Sequence, residues 1–245
     1  MSLNLTAFDK MTANAVKYFW KSRQEAAKNQ QTRGVADQGN RSSVTAGKNL
    51  NGFISMIKQL IIDNGIPEVE VHTDVRANLI IPGYFRPAKN WDLLVVGNNK
   101  LLAAIEFKSQ VGPSFGNNFN NRIEEAIGNA ADLNTAFREG AFGESQKPFI
   151  GYFFVLEDCS KSMSPVRFAS PHFPAFAEFN NTSYASRYEI FCRKLIQEQL
   201  YDSASLLLTK SSDIKKGSYT FLSELTSPKR FAVSLASKIA GMSIS

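Results

Sequence analysis

The run that most constrains this chain is WDLLVVGNNKLLAAIEFK at residues 91–108. Two apolar stretches flank Gly97-Asn98-Asn99, a hairpin signal, because Gly and Asn accept the left-handed backbone of a tight turn. The pattern predicts strands at 91–96 and 101–107. Side chains alternate faces along a strand, so Glu106 and Lys108 share one face while Leu101, Ala103, Ile105 and Phe107 take the other. The antiparallel return brings Asp92, near the start of the first strand, beside the end of the second. Charged residues ending such an apolar strand call for an explanation.

Phosphodiester hydrolysis supplies one. It must generate a hydroxide, stabilise charge on a five-coordinate phosphorus and protonate a leaving oxygen. Mg²⁺ held by carboxylates with open positions can do most of this. Asp92 and Glu106 are the candidate metal ligands, with the Phe107 carbonyl as a further oxygen. Lys108 can position or deprotonate the attacking water and offset phosphate charge. The competing reading is that Asp92 caps a turn and Glu106 and Lys108 sit at an exposed strand end, since short D…ExK patterns recur by chance. The hairpin context favours the catalytic reading.

Around this hairpin the chain reads as α/β. Helices are predicted at 5–30, 49–64 (stopped by Gly65), 120–139, 184–200 and 228–241, and strands also at 69–73, 77–81 and 149–156. Polar loops are expected at 31–47, 109–119 and 160–182. A length of 245 residues with 43% hydrophobic composition supports one sizeable core, and residues 1–245 are read as a single domain. No apolar run approaches the ~18 residues of a membrane span. MSLNLTAFDKM lacks the pattern of a signal peptide. Cys159 and Cys192 form no CxxC and are read as reduced thiols. These features together predict a cytoplasmic protein. His72 and His172 are too isolated for a zinc set. Ala46-Gly47-Lys48 hints at a phosphate loop, but Ser42 and Asn49 stand where Gly and Ser/Thr belong, so it is rejected.

The net charge of +6 is unevenly spread: +6 over residues 1–60, −5 over 61–160 and +5 over 161–245. An acidic centre between basic flanks suits a cation held against phosphate, although ordinary solvated surface gives the same pattern. Candidate DNA contacts follow from position and chemistry. Arg86 and Lys89, in PGYFRPAKN just before Asp92, can touch the phosphate backbone. Asn117, Asn118, Asn120, Asn121 and Arg122, just after the catalytic strand, can read base edges or hold phosphates. Arg187, in SYASRYEIFCRKL, is a third candidate. Each has a plainer reading as a turn, a cap or a solvated face.

The stretches IPGYFRPAKNWD, IEFKS, VGPSFGNNFNNRIEEAIG, SPHFP and RYEIFCRKLI resemble the XhoI family of type II restriction endonucleases, over roughly residues 49–197. The resemblance implies a PD-(D/E)XK nuclease fold: a mixed central sheet flanked by helices in the order α-β-β-β-α-β. Its catalytic pattern falls on Asp92, Glu106 and Lys108, with Trp91 in place of the motif's nominal Pro. It implies Mg²⁺, double-stranded DNA as substrate, and cleavage of CTCGAG after its first C to leave a 5′ TCGA overhang. It also implies a two-fold homodimer and a cognate DNA methyltransferase acting on the same site. Many such nucleases add an upstream acidic residue; Asn49, Asn51 and Glu70 stand near that place. The alternatives are a non-catalytic DNA-binding protein on a nuclease fold and a structure-specific repair or junction nuclease.

Overall fold

A computed structural model describes residues 3–32, 48–64 and 69–243. The predicted 31–47 loop beyond Thr32, with Ala46 and Gly47, and the Gly65 stop lie outside the described residues. The helices are α1 (Phe8–Thr32), α2 (Asn51–Asp63), α3 (Phe115–Arg138), α4 (Ser160–Met163), α5 (Tyr184–Gln197) and α6 (Pro228–Ser243). The strands are β1 (Val69–His72), β2 (Ile80–Ile81), β3 (Lys89–Asn90), β4 (Leu93–Gly97), β5 (Lys100–Gln110), β6 (Phe149–Glu157) and β7 (Ser203–Thr209).

Five strands form one mixed sheet in the order β1-β4-β5-β6-β7. The β1/β4 and β4/β5 pairs are antiparallel, and β5/β6 and β6/β7 are parallel. The predicted hairpin forms, with Asn98 and Asn99 at φ 50° and 58° supplying the left-handed turn. A bulge follows at once: Val96 pairs Leu101 but Val95 pairs Ala103, so Leu102 is the extra residue. It resets the alternation, leaving Ala104 and Glu106 on one face and Ile105 and Phe107 on the other.

Each sheet face carries its own apolar layer. Phe19, Phe53, Ile57, Phe231 and Leu235 from α1, α2 and α6 meet Ile105, Phe107 and Phe153 on one side. Ala126, Ala130, Leu133, Tyr188 and Cys192 from α3 and α5 meet Ala104, Tyr152 and Phe154 on the other. β6 and β7 are buried on both faces; β6 accordingly reads as a continuous apolar run, whereas β7 carries the buried polar residues Ser203, Ser205 and Thr209. The succession α2, β1, β4, β5, α3, β6 reproduces the α-β-β-β-α-β order, with the two-stranded ribbon β2–β3 inserted before β4.

Several sequence expectations require correction. The strand foreseen at 77–81 is mostly a 3₁₀ turn, Arg76–Leu79, followed by the short β2. Trp91 and Asp92 precede β4 instead of opening it. The loop expected at 109–119 is largely absent: β5 runs to Gln110 and α3 begins at Phe115. Phe115 stacks on Tyr184 at 5.7 Å and Phe119 meets Tyr188 edge-on at 4.9 Å, so burial against α5 makes helix of an Asn/Gly run with weak propensity for it. The one-turn α4 interrupts the 160–182 loop. Strand β7 was not foreseen at all. Among the described residues no helix is long and apolar enough to cross a membrane. Cys159 is half-buried, Cys192 is buried, and both are free thiols.

Candidate active site

The register that pairs Leu93 with Ile105 sets Asp92 beside Glu106, just before β4 begins and where β5 runs on past it. Asp92 Oδ2 accepts a hydrogen bond from the Phe107 N–H at 2.8 Å. A strand residue points its N–H and C=O to the same side. The Phe107 carbonyl is therefore directed to the Asp92 side too, beyond the last β4 ladder pair.

Glu106 is 2% exposed and surrounded by donors. Its Oε1 lies 2.6 Å from Lys108 Nζ and 3.6 Å from Lys89 Nζ. Asn129 Nδ2 donates to its Oε2 at 2.6 Å. Lys108 and Asn129 donate hydrogen bonds, and Lys89 adds only its charge at 3.6 Å, so about two of the carboxylate's roughly four acceptor positions stay open. Lys89 is steadied from behind by the Trp91 ring, 4.4 Å from Nζ to the centroid. Arg86 joins through Asn129, donating from Nη2 to its Oδ1 at 2.8 Å, and bonds Asp132 Oδ2 through Nε at 2.7 Å.

Burial is the largest influence on each ionisable group here. It pushes the Asp92 carboxyl above its ordinary value, with the Glu106 charge adding, against the pull of Lys108 and the Phe107 N–H. Burial works the same way on Glu106, but Lys108, Lys89 and the hydrogen bonds from Lys108 and Asn129 outweigh it and hold that carboxyl below its ordinary value. Burial would lower Lys108, yet Glu106 and Asp92 raise it, so its amine keeps the proton. Lys89 is lowered, by burial first and by Lys108 and Arg86, against Glu106 and Asp92. Asp132, opposed by burial, is lowered by bonds from the Phe85 and Tyr84 N–H groups and Arg86.

The sequence reading brought Asp92, Glu106 and Lys108 together, and so does the structure. It missed Asn129 and Asp132. Both are polar residues inside the buried stripe of α3, between Ala126, Ala130 and Leu133, and that interruption was the available signal. Lys89 points into the trio rather than out of its loop. Arg86 is tied to α3, though its side chain remains 43% exposed. Asn117, Asn120 and Asn121 are exposed on the first turns of α3, and Asn118 and Arg122 are half-buried. Asn118, Arg122, Glu125, Asn129 and Asp132 recur at helical spacing on one face, and Arg122 bonds Glu125 at 2.6 Å. Arg187 fastens a loop: it donates to Thr182 Oγ1 at 3.1 Å and to the Val166 carbonyl at 2.7 Å.

Of the upstream candidates, Glu70 lies opposite Val96, about 13 Å along the strands from the row of Asp92, and meets His72 at 3.4 Å. Asn49 is buried in the turn before α2 and Asn51 opens that helix, whose apolar side packs the other sheet face. Among the described residues no group of three or more His, Cys, Asp or Glu gathers to hold a metal. The donor set is thus two carboxylates and one backbone carbonyl, all hard oxygens. That set suits Mg²⁺, which keeps several waters, better than zinc. Asp92, buried against a like charge, is the group such a cation would relieve.

Comparison with known proteins bears on this geometry. A family model described as restriction endonuclease XhoI matches residues 29–221. The chain is 50% identical over 196 residues to the type II restriction enzyme XhoI of Xanthomonas vasicola, covering 80% of this chain and 78% of that one. It is 50% identical to the type II restriction enzyme BstVI of Geobacillus stearothermophilus, covering 75% and 83%. It is also 50% identical to the type II restriction enzyme AbrI of Azospirillum brasilense, covering 71% and 77%. No solved structure matches.

Proposed function

The chain belongs to the XhoI restriction endonuclease family, and from that premise we propose that it is a type II restriction endonuclease cutting double-stranded DNA with Mg²⁺. The observation that carries the proposal is the convergence of Asp92, Glu106 and Lys108 at the open end of the β4–β5 hairpin. Asp92, Glu106 and the Phe107 carbonyl would hold the metal in a PD-(D/E)XK arrangement. When bound, Mg²⁺ supplies an acidified water and charge neutralisation at the phosphate. The chain's own groups do the rest. Asp92 and Glu106 set where the reacting phosphate sits. Lys108, held protonated against Glu106, orients the attacking water and offsets phosphate charge. Lys89 and Asn129 keep the Glu106 carboxylate from turning away.

The proposed site is CTCGAG, cut after the first C to leave 5′ TCGA ends. Two copies related by a two-fold axis would each cut one strand. A methyltransferase of the same specificity would protect the host, and the enzyme would work in the cytoplasm. Residues 1–245 form one nuclease domain in this reading, which both apolar layers on the single sheet support. Arg86 and the Asn117–Arg122 surface are the proposed DNA contacts; Lys89 serves the catalytic group, and Arg187 acts through the loop it fastens.

Incubating the protein with plasmid and Mg²⁺ and mapping the cut ends tests this reading. Asp92→Ala should abolish cutting and keep specific binding. Specific retention of duplex without cutting would instead mean a non-catalytic binder. Cutting at junctions with no base preference would mean a repair nuclease.

A further inference from the structure

The loop ahead of the catalytic group presents two aromatic rings to solvent. Tyr84 is 55% exposed and Phe85 72%. Exposure alone is ordinary, but this loop is fixed with unusual care. The Tyr84 and Phe85 N–H groups both donate to Asp132 Oδ1, at 2.7 and 2.8 Å. Arg86 Nε closes on the other oxygen at 2.7 Å. Successive backbone N–H groups wrapped round an anion form a tight concave turn. Gly83 completes it, since a Cβ there would run into the Asp132 carboxylate. The two rings meet edge-on at 5.4 Å, so each limits the other's rotation. Asp132 itself is 2% exposed and lies on α3, one turn beyond the Asn129 that holds Glu106.

We propose that Tyr84 and Phe85 form a rigid apolar wedge that packs against the bases of the duplex beside the phosphate being cut. The inference rests on the endonuclease reading and deepens it. The occupant is assigned by continuity. Arg86 follows Phe85 directly and shares Asn129 with Glu106, so the rings are one residue and two hydrogen bonds from the catalytic carboxylate. A duplex that lays its phosphate over Glu106 and Lys108 meets this loop. Arg86, though paired with Asp132, keeps its side chain 43% exposed beside the rings, where a backbone phosphate can reach it. Rings held in place before binding lose little freedom on contact, which is where a fixed wedge gains over a mobile side chain.

The test measures binding of a duplex carrying CTCGAG to Asp92→Ala protein, with and without Phe85→Ala, by fluorescence anisotropy over a salt series. Loss of one base–aromatic contact should weaken binding roughly 5- to 150-fold. Phe85→Tyr should keep most of the affinity, and Phe85→Ser should behave like Phe85→Ala. The slope of log K against log salt should not change, because no phosphate contact is removed. The thermal midpoint should hold, since the ring is mostly exposed. Equal affinity for Phe85→Ala overturns the wedge. So does a reduced salt slope, which would make the effect a phosphate contact, or a change in oligomeric state, which would make the surface a contact between copies. Wild-type protein that neither binds nor cuts any duplex refutes the endonuclease reading instead.

Discussion

Replacing Asn129 with Ala is the sharpest probe of how Glu106, the proposed catalytic carboxylate, is held. Its side-chain amide makes two bonds to charged partners: it donates to Glu106 at 2.6 Å and accepts from Arg86 at 2.8 Å. Bonds of that kind contribute about 1.5–3 kcal/mol each. The Arg86 side chain is 43% exposed, so water can replace Asn129 there and that bond belongs at the low end. The Glu106 bond joins two buried side chains and belongs nearer the top. The expected cost in stability is about 4–4.5 kcal/mol. The catalytic cost is separate. Glu106 keeps Lys108 and Lys89 on Oε1, but Oε2 loses its fixed donor and the carboxylate is free to turn. A displacement near 1 Å costs about 100-fold in rate. Steady-state cleavage of a short duplex should therefore show kcat down roughly 100-fold with KM little changed. Asn129→Asp sharpens the test, because it sets a second carboxylate against Glu106 and the pair must share a proton. Its activity should fall further at high pH and recover partly as pH drops, a pH profile that simple unfolding does not produce. An Asn129→Ala protein with wild-type kcat and melting temperature would refute the positioning role.

Four further outcomes follow from the same geometry. Burial and the Glu106 charge hold the Asp92 carboxyl above its ordinary value, so ionised Asp92 strains the metal-free native state above its folded pKa and the strain eases as pH falls through it. Asp92→Asn should therefore raise the metal-free melting temperature at neutral pH while abolishing cutting; a lower midpoint would contradict this. Glu106 has the opposite sign: held below its ordinary 4.5, it contributes stability above that pH which is lost as pH falls through the folded value. Glu106→Gln should remove that slope from acid denaturation curves of the metal-free protein. Arg122→Ala should weaken discrimination at one base pair by about 1–3 kcal/mol in a panel of single-mismatch duplexes, whereas Asn117→Ala should leave it intact. Burial pushes the Cys192 thiol far up, so a thiol reagent followed by mass mapping should label Cys159 in the native protein and Cys192 only on unfolding.

What the sequence made legible was whatever one strand pair decides. The Gly-Asn-Asn turn and period-two alternation place Asp92, Glu106 and Lys108 without help from the rest of the chain, and the structure agrees. Two kinds of feature escaped. The first depends on tertiary burial. Asn-rich α3 starts become helical because Phe115 and Phe119 are covered by α5, and no local propensity carries that information. SASLLLT escaped because Ser203, Ser205 and Thr209 leave only a three-Leu apolar run, and burial on both faces removes the alternation that marks half-exposed strands. The second is long-range pairing. Arg86 and Lys89 were legible as cations near Asp92. Their partners Asp132, Asn129 and Glu106 lie up to 46 residues away, so their inward roles were not.

These long-range partners give α3 a role beyond covering the sheet. Asn129 and Asp132 lock one end of the helix to Glu106 and to the aromatic loop. The Asn-rich run occupies the other end. A helix rises 1.5 Å per residue, so Arg122 stands about 10 Å from Asn129 along the axis, near the height of three stacked bases. Asn117 is about 18 Å away. On the proposed six-base palindrome, cut after its first base by two copies, each copy would read three base pairs. A rigid helix whose catalytic anchor is Asn129 can bring Arg122 and Asn118 to that half-site on the same face. The exposed Asn117, farther out and turned to solvent, is better placed for backbone than for base edges. The distance from Asn129 to the proposed reading face is thus set by helix geometry, and a one-residue insertion between Arg122 and Asn129 would rotate that face by about 100° relative to Glu106.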